Sequence, residues 1–385
     1  MKPKSFFKII LFLPALLLLS SCRKDINTEE IIKIVDKHSA EEHNLYALDN
    51  EMRKIGFEAV EEIDDRAVYL PNTWKPLSLK EMTPGDASAG VALWRASPEK
   101  AEVVYIFRNS PAEYAGINPG DTIYSVNDIP LREISDEQLL EYLKGPPGIS
   151  FSVKGETKEK KDLNVSLKRN FGGTPIVWGF RIPGTDVGYL RILSFSKKSY
   201  KWFRSSMNDI LDAKAKKIVI DLRGNKGGSL AELSRYLNDF APKRNSVLFY
   251  SYSRHKGYSF AFTSRRRGDY SDIKVAVLTD YATMSRAEIF AETLRYWKNA
   301  LIVGGRTAGN ISATRGFRMP NKDIMRITVS KLYPPSKLDL EKTGVIPDEW
   351  LKYSPSYKED FPPLLVNSDD FIQKGLSVAE AEKES

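Results

Sequence analysis

Residues 175–353 alternate strand-like apolar runs with helix-like segments. Two segments, 220–230 and 279–294, share one pattern: an apolar strand runs into a loop and then into a helix. They lie about sixty positions apart. The alternation predicts an α/β layered architecture. The predicted strands are 187–192, 217–222, 274–278, 301–303 and 324–332, and the predicted helices cover 198–211 or begin at Leu230 and Ser285.

Residues 86–168 show another pattern, of short strands separated by turns and two capped helices. Ser110 is a suitable N-cap with Pro111 at the first helical position, and Ser135 can cap a second helix over 135–143. The pattern predicts a small β-rich domain, with strands at 90–94, 103–107, 122–127, 149–154 and 163–167.

The remaining segments are predicted to be a tether, a helical region and a tail. Residues 22–85 begin with a polar stretch, and apolar positions over 30–57 then recur at helical spacing. Residues 354–385 form a tail with a short helix around 369–376. No repeat or low-complexity tract interrupts this order.

The first 21 residues have the pattern of an export signal. Lysines at positions 2, 4 and 8 precede an apolar run over 9–19, and Leu19, Ser20, Ser21 and Cys22 follow. This ending resembles a bacterial lipobox, in which the cysteine is lipidated and becomes the mature N-terminus. Cys22 is the single cysteine of the chain. A lipoprotein held in the bacterial cell envelope, on its periplasmic or cell-surface face, is therefore predicted. A plain secretory signal and an anchor helix are the alternatives.

Composition excludes some classes of function. The chain has 385 residues, a formal charge of +8 and 42% hydrophobic residues, which is ordinary for a globular protein. No basic stripe interleaved with aromatic residues is present, so nucleic acid is not a predicted partner. His, Cys, Asp and Glu do not cluster at metal-ligand spacing, and no cofactor or metal is predicted.

The two strand–loop–helix segments carry the candidate chemistry. A glycine-lined loop can present bare backbone N–H groups to an oxyanion, and Gly227 and Gly228 lie in such a loop. Ser285 stands where the second helix begins, in the positive potential of a helix N-terminus. Together they point to acyl transfer by a serine nucleophile, although serine is also a common helix cap.

With these residues in view, residues 86–350 resemble the tail-specific, or carboxyl-terminal processing, serine peptidases. Segments VGYLRILSFS, KKIVIDLRGNKGG, VAVLTDYATMSRAEIFAETL, LIVGGRTAGN and TVSKLYPPSKLDLEKTGVIPDEW occur in that family's order. Ahead of them, SPAEYAGINPGDTIYSVND resembles a PDZ domain. The resemblance implies a PDZ-like domain over 86–168 and a peptidase core over 175–353 with a ClpP/crotonase-like fold.

The resemblance also implies roles for individual residues. Ser285 matches the family's nucleophile, and the backbone N–H groups of Gly227, Gly228 and Arg286 match its oxyanion site. In the PDZ-like domain, the strand formed by Gly90, Val91, Ala92 and Leu93 matches the one to which a peptide C-terminus adds. The implied partners are therefore peptide or protein C-termini. A PDZ-like domain that merely packs is the alternative.

The chain departs from the family at the general base. Asn310 occupies the place of the lysine in members that use a Ser–Lys dyad, and residues 79–90 lack the histidine that other members use. Lys226 and His255 remain as candidate bases. Two interpretations stay open: a serine peptidase with an unusual base, and an inactive peptidase-like protein that binds C-termini without cleaving them.

Overall fold

The computed structural model describes residues 27–70, 87–171, 176–253, 258–352, 366 and 369–381. The chain divides into two compact units. Of the described residues, the first unit contains 27–70, 251–253, 258–259 and 312–331, and the second contains the rest. In the described residues, no helix is both long enough and apolar enough to span a bilayer.

The helices follow one another along the chain with these bounds: α1 Thr28–His38, α2 Leu45–Ile55, α3 Glu58–Ile63, α4 Pro111–Tyr114, α5 Asp136–Leu143, α6 Ser199–Asp212, α7 Leu230–Phe240, α8 Arg286–Lys298 and α9 Asp370–Ala381. A 3₁₀ turn covers Leu131–Glu133.

The strands have these bounds: β1 Val68–Leu70, β2 Ala87–Ser88, β3 Val91–Ser97, β4 Lys100–Ile106, β5 Thr122–Val126, β6 Ile129–Pro130, β7 Lys144–Gly145, β8 Ser150–Glu156, β9 Asp162–Lys168, β10 Val177–Arg181, β11 Val187–Ile192, β12 Lys217–Asp221, β13 Val247–Ser253, β14 Tyr258–Thr263, β15 Lys274–Thr279, β16 Leu301–Gly304, β17 Ala313–Arg318, β18 Ile324–Tyr333 and β19 Glu349–Trp350.

In the first unit, apolar residues of α1 and α3 share a core with β18. Ile31 and Val60 are fully buried in one cluster with Met325. The prediction of one continuous helix over 30–57 is wrong, because Ser39 takes an extended conformation after α1 and the Asn44 side chain caps α2. The predicted strand over 324–332 forms, but most of it belongs to this unit, where β18 pairs with β1 and β17.

In the second unit, residues 87–171 form an antiparallel sheet in the order β3-β4-β5-β8-β9, with β6 on β5. Ser110 and Ser135 cap α4 and α5 through their side chains, as predicted. The sheet buries one apolar cluster, which includes Leu93, Val103 and Leu139. The predicted β-rich domain is thereby confirmed.

The larger sheet of the second unit has the order β10-β11-β12-β15-β16-β19. Only the β10–β11 pair is antiparallel among these neighbours. Alternate side chains of the buried strands point to opposite faces. Ile218 and Ile220 share a cluster with residues of α6, α7 and α8, whereas Val219 shares one with residues of α9. The predicted α/β layers are confirmed.

Trp178 on β10 joins the β-rich domain to the larger sheet. Its ring lies 5.1 Å from the ring centroids of both Tyr105 and Phe107, and it is fully buried. Large buried aromatic side chains of this kind contribute strongly to the stability of an interface. The β-rich domain therefore packs on the larger sheet within one compact unit.

Candidate active site

Ser285 lies where the chain turns from β15 into α8. Its backbone angles are φ +63° and ψ −121°, a region that residues other than glycine rarely adopt. Such strain persists only where the surroundings impose it, and it concentrates at functional sites. Only 8% of the residue is exposed. A serine on a strained strand-to-helix turn is typical of a nucleophile.

The glycine-rich loop faces Ser285 because β12 and β15 are parallel neighbours, so the segments after both strands meet at one sheet edge. Gly227 has φ +89°, and a Cβ there would lie 2.8 Å from Ser285 Cβ and 3.0 Å from Arg286 N. Gly228 has φ +145°, and a Cβ there would lie 2.4 Å from the Phe195 carbonyl oxygen. Both positions require glycine, since a side chain would be strained and would clash.

Asn225 sets the conformation of this loop, and the sequence analysis missed it. Its Oδ1 accepts the Gly227 N–H at 2.8 Å, its Nδ2 donates to Ile192 O, and its own carbonyl accepts the Met284 N–H. The Gly227 N–H, which was predicted to be an oxyanion donor, is therefore bound to Asn225 in this conformation. The sequence feature that could have identified Asn225 is its position just after a buried strand and next to the glycines of the loop.

Glu288 connects Ser285 to the segment that contains Asn310. Its Oε2 accepts the N–H groups of Ser285 at 2.7 Å and Asn310 at 2.9 Å, and its Oε1 accepts from Thr307 Oγ1 and Gly309 N. Burial raises the pKa of Glu288, and these four donors lower it in part. The carboxylate is thus a structural acceptor that holds the Ser285 turn and residues 307–310 side by side.

A buried ion cluster lies at the start of the glycine loop. Asp221 accepts hydrogen bonds from Tyr189, Arg191 and Arg223, and all four side chains are buried. Burial by itself would raise the pKa of Asp221, but the Arg223 and Arg191 guanidinium groups hold it well below its usual range. Asp280 accepts the next N–H of the loop, that of Gly224, at 3.0 Å.

The candidate bases do not meet the requirements for that role. A lysine that accepts a proton at neutral pH usually needs burial or a cationic neighbour, whereas the Lys226 side chain is exposed. Asn310 is also exposed, and its backbone is bound to Glu288. His255 and Cys22 lie outside the described residues.

Arg286, predicted only for its backbone N–H, also contacts the nucleophile through its side chain. Its Nη1 donates to Ser285 Oγ at 2.7 Å, and the residue is half-buried. A guanidinium group donates hydrogen bonds and stays protonated in proteins, so it cannot accept the serine proton.

The strand predicted to bind peptides is closed to solvent. Gly90 is buried, and Val91, Ala92 and Leu93 are at most 1% exposed. Next on the same strand, Arg95 donates to Asp136 at the start of α5 and to the carbonyl groups of Leu131 and Ile134. A peptide can therefore add to this strand only after the groove between β3 and α5 opens.

Comparison with known proteins agrees with this fold and site. The model of Peptidase family S41 matches residues 186–350, and a PDZ domain model matches residues 102–154. The carboxyl-terminal-processing protease of Picosynechococcus is 30% identical over 316 residues, covering 79% of this chain and 74% of the relative. The carboxy-terminal processing protease CtpB of Bacillus subtilis is 27% identical over 295 residues, covering 72% and 60%.

Solved structures share the fold. The photosystem II D1 C-terminal processing protease superposes with a TM-score of 0.52 at 19% identity, covering 84% of this chain and 92% of that one. A Bacteroides fragilis protein assigned to the S41 proteases gives 0.53 at 19% identity, covering 94% and 98%.

The α/β core with a PDZ-like domain and a serine at a strained turn defines a class of serine peptidases. The chain belongs to peptidase family S41, the carboxyl-terminal processing proteases.

Proposed function

We infer that this chain is a membrane-anchored peptidase that recognises the C-terminus of a peptide or protein and cleaves with Ser285. The observation that carries the proposal is the strained turn at Ser285, against which Gly227 packs so closely that a Cβ at Gly227 would lie 3.2 Å from Ser285 Oγ. Ser285 Oγ attacks the scissile carbonyl carbon, the amine leaves, and water then hydrolyses the acyl-enzyme. The N–H groups of Gly228 and Arg286 are the proposed donors to the developing oxyanion.

A second candidate is a protein that binds C-termini without cleaving them. Two observations favour it: Asn310 stands in the place of the dyad lysine, and Lys226 is exposed. The retention of both Ser285 and the glycine loop favours the peptidase, because a binding protein has no need of either.

A fluorophosphonate probe separates the two candidates. The proposal predicts a mass adduct on the purified protein, cleavage within a varied peptide set, and loss of both in Ser285→Ala. Folding and peptide binding should survive, because the substitution removes one hydroxyl. An adduct or full cleavage in Ser285→Ala would displace the nucleophile, and a wild type with neither adduct nor cleavage would favour the binding protein.

Capture of the C-terminus is assigned to the strand at Gly90–Leu93, once the groove between β3 and α5 has opened. A peptide with a free, apolar C-terminus should bind more tightly than its amide by about 1.5–3 kcal/mol, the value of a charge-assisted hydrogen bond. Calorimetric titration of both forms tests this. Equal affinity would remove carboxylate capture from the proposal.

The anchor is assigned to Cys22, which follows the lipobox-like residues Leu19, Ser20 and Ser21. Two or more acyl chains on one cysteine are enough for stable membrane attachment. Cys22→Ser should release the protein from the membrane fraction or block its maturation. Unchanged partitioning and gel mobility would contradict lipidation.

A further inference from the structure

We propose that the Arg286 side chain activates Ser285 by stabilising its alkoxide, so that the proton goes to solvent hydroxide and no side chain serves as the base. The inference rests on the proposed function, in which Ser285 is the nucleophile. It assigns a catalytic role to a side chain for which the sequence indicated only a backbone contribution.

The contact itself is the first support. The Arg286 Nη1 lies 2.7 Å from Ser285 Oγ, within hydrogen-bond distance of the reacting atom. A positive charge and a donor next to a hydroxyl both favour its ionised form. Ser285 is nearly buried, and screening by water is weaker there than at an exposed site.

The groups around Ser285 give the second support. The Glu288 carboxylate already accepts four hydrogen bonds, and Asp280 accepts from Gly224 N and from Thr283. Lys226 on the glycine loop and Lys342, whose N–H donates to Gly309 O, are exposed. These titratable groups are committed to structural bonds or face solvent, whereas Arg286 is in contact with the hydroxyl.

The position of Arg286 adds a second source of positive potential. Arg286 is the first residue of α8, and Ser285 precedes it at the N-terminus of this 13-residue helix. The helix dipole favours negative charge at that end. The guanidinium and the helix N-terminus therefore act in the same direction on an alkoxide at Ser285.

Hydroxide takes the Ser285 hydroxyl proton and becomes water, and the alkoxide keeps the Arg286 hydrogen bond. Its oxygen then forms a bond to the carbonyl carbon, and the carbonyl π electrons move to the carbonyl oxygen. Collapse of this intermediate breaks the C–N bond, and the departing amine takes a proton from water, which restores hydroxide.

The test measures the rate of fluorophosphonate labelling by intact mass between pH 6 and 9. In that reaction Ser285 Oγ forms a bond to phosphorus and fluoride leaves. The variants are Arg286→Ala and Arg286→Lys, with Arg235→Ala as the control, because Arg235 is an exposed arginine that pairs with Glu232 on α7. Alanine is compatible with the first position of a helix, and thermal unfolding checks that each variant folds.

The wild-type rate should rise about tenfold per pH unit, because hydroxide is the base. Arg286→Ala should lower the rate about 100-fold, as loss of one oxyanion donor does in other serine peptidases. Arg286→Lys keeps the charge and should retain more of the rate, and Arg235→Ala should match the wild type.

Two results would overturn the inference while leaving Ser285 as the nucleophile. One is that Arg286→Ala is labelled as fast as the wild type or faster. That result would mean that the Arg286 side chain only covers the Ser285 hydroxyl. The other is a wild-type rate that reaches a plateau, which would reveal a side-chain base. If no variant and no wild type is labelled at any pH, the inference fails together with the peptidase function.

Discussion

The Arg223 guanidinium holds the Asp369 carboxylate through two hydrogen bonds, of 3.0 and 2.9 Å, although the two residues are 146 positions apart. Arg223 is fully buried, and its guanidinium also lies 4.8 Å from the centroid of the Phe371 ring. Asp369 in turn accepts the N–H groups of Phe371 and Ile372 at the start of α9. The pair therefore ties α9 to the residue that precedes the glycine loop.

Replacing Asp369 by Asn should lower the free energy of unfolding by about 1.5–3 kcal/mol, because the buried Arg223 guanidinium would lose one of its two charged partners and keep only Asp221. Asn still caps the helix, so the effect reports on the ion pair. Urea unfolding of the full chain measures this change in the free energy of unfolding. The matched control is Asp370→Asn, which changes an exposed neighbour in the same turn. An equal effect of both substitutions would show that the ion pair contributes little.

Gly227→Ala should abolish labelling of Ser285, because the new Cβ would lie 2.8 Å from Ser285 Cβ. Gly184→Ala is the matched control: Gly184 also has positive φ, at +74°, but a Cβ there meets no atom within 4 Å. Both variants should lose about 1 kcal/mol of stability from backbone strain. Only the first should lose the probe adduct, and retention of labelling in Gly227→Ala would separate this glycine from the nucleophile.

Asn310→Lys should raise peptidase activity about 100-fold, the lower range for a general base. The reason is that the N–H groups of Asn310 and Ser285 share Glu288 Oε2, so position 310 adjoins the nucleophile. The rate should then level off at high pH. Asn310→Met is the control of similar length without an amine. No gain over this control would show that an amine at position 310 cannot act as the base for Ser285.

Lys298 should make the free energy of unfolding depend on pH in the alkaline range. Burial lowers its pKa from 10.5 to about 8, and Arg267 adds to this while Asp272 opposes it. The unfolded chain binds more protons than the folded one between those values, so the free energy of unfolding rises with pH there. Urea unfolding at pH 7.5 and 10 should show a gain for the wild type that Lys298→Met lacks. The same gain in both proteins would assign it to other groups.

The local elements were predictable because they depend on neighbours in the chain. Apolar runs bounded by turns placed the main strands of the β-rich domain and the four central strands of the larger sheet, although β10 and β19 were not predicted. Ser110 and Ser135 marked their helices, and the glycine-rich loop with Ser285 marked the candidate site. The break between α1 and α2 was missed, although only Ala40 is apolar between Val35 and Leu45, and the backbone at Ser39 is extended.

The partners of the site residues were decided by tertiary structure alone. Glu288 accepts hydrogen bonds from positions 3 and 22 residues away, and Arg223 pairs with Asp369 across 146. The orientation of the Gly227 N–H toward Asn225 and the contact of Arg286 with Ser285 Oγ depend on backbone angles and rotamers, which no residue pattern encodes. The contacts of Glu288 with residues 307–310 arise because the parallel neighbours β15 and β16 bring distant segments to one sheet edge, and spacing along the chain carries no record of them.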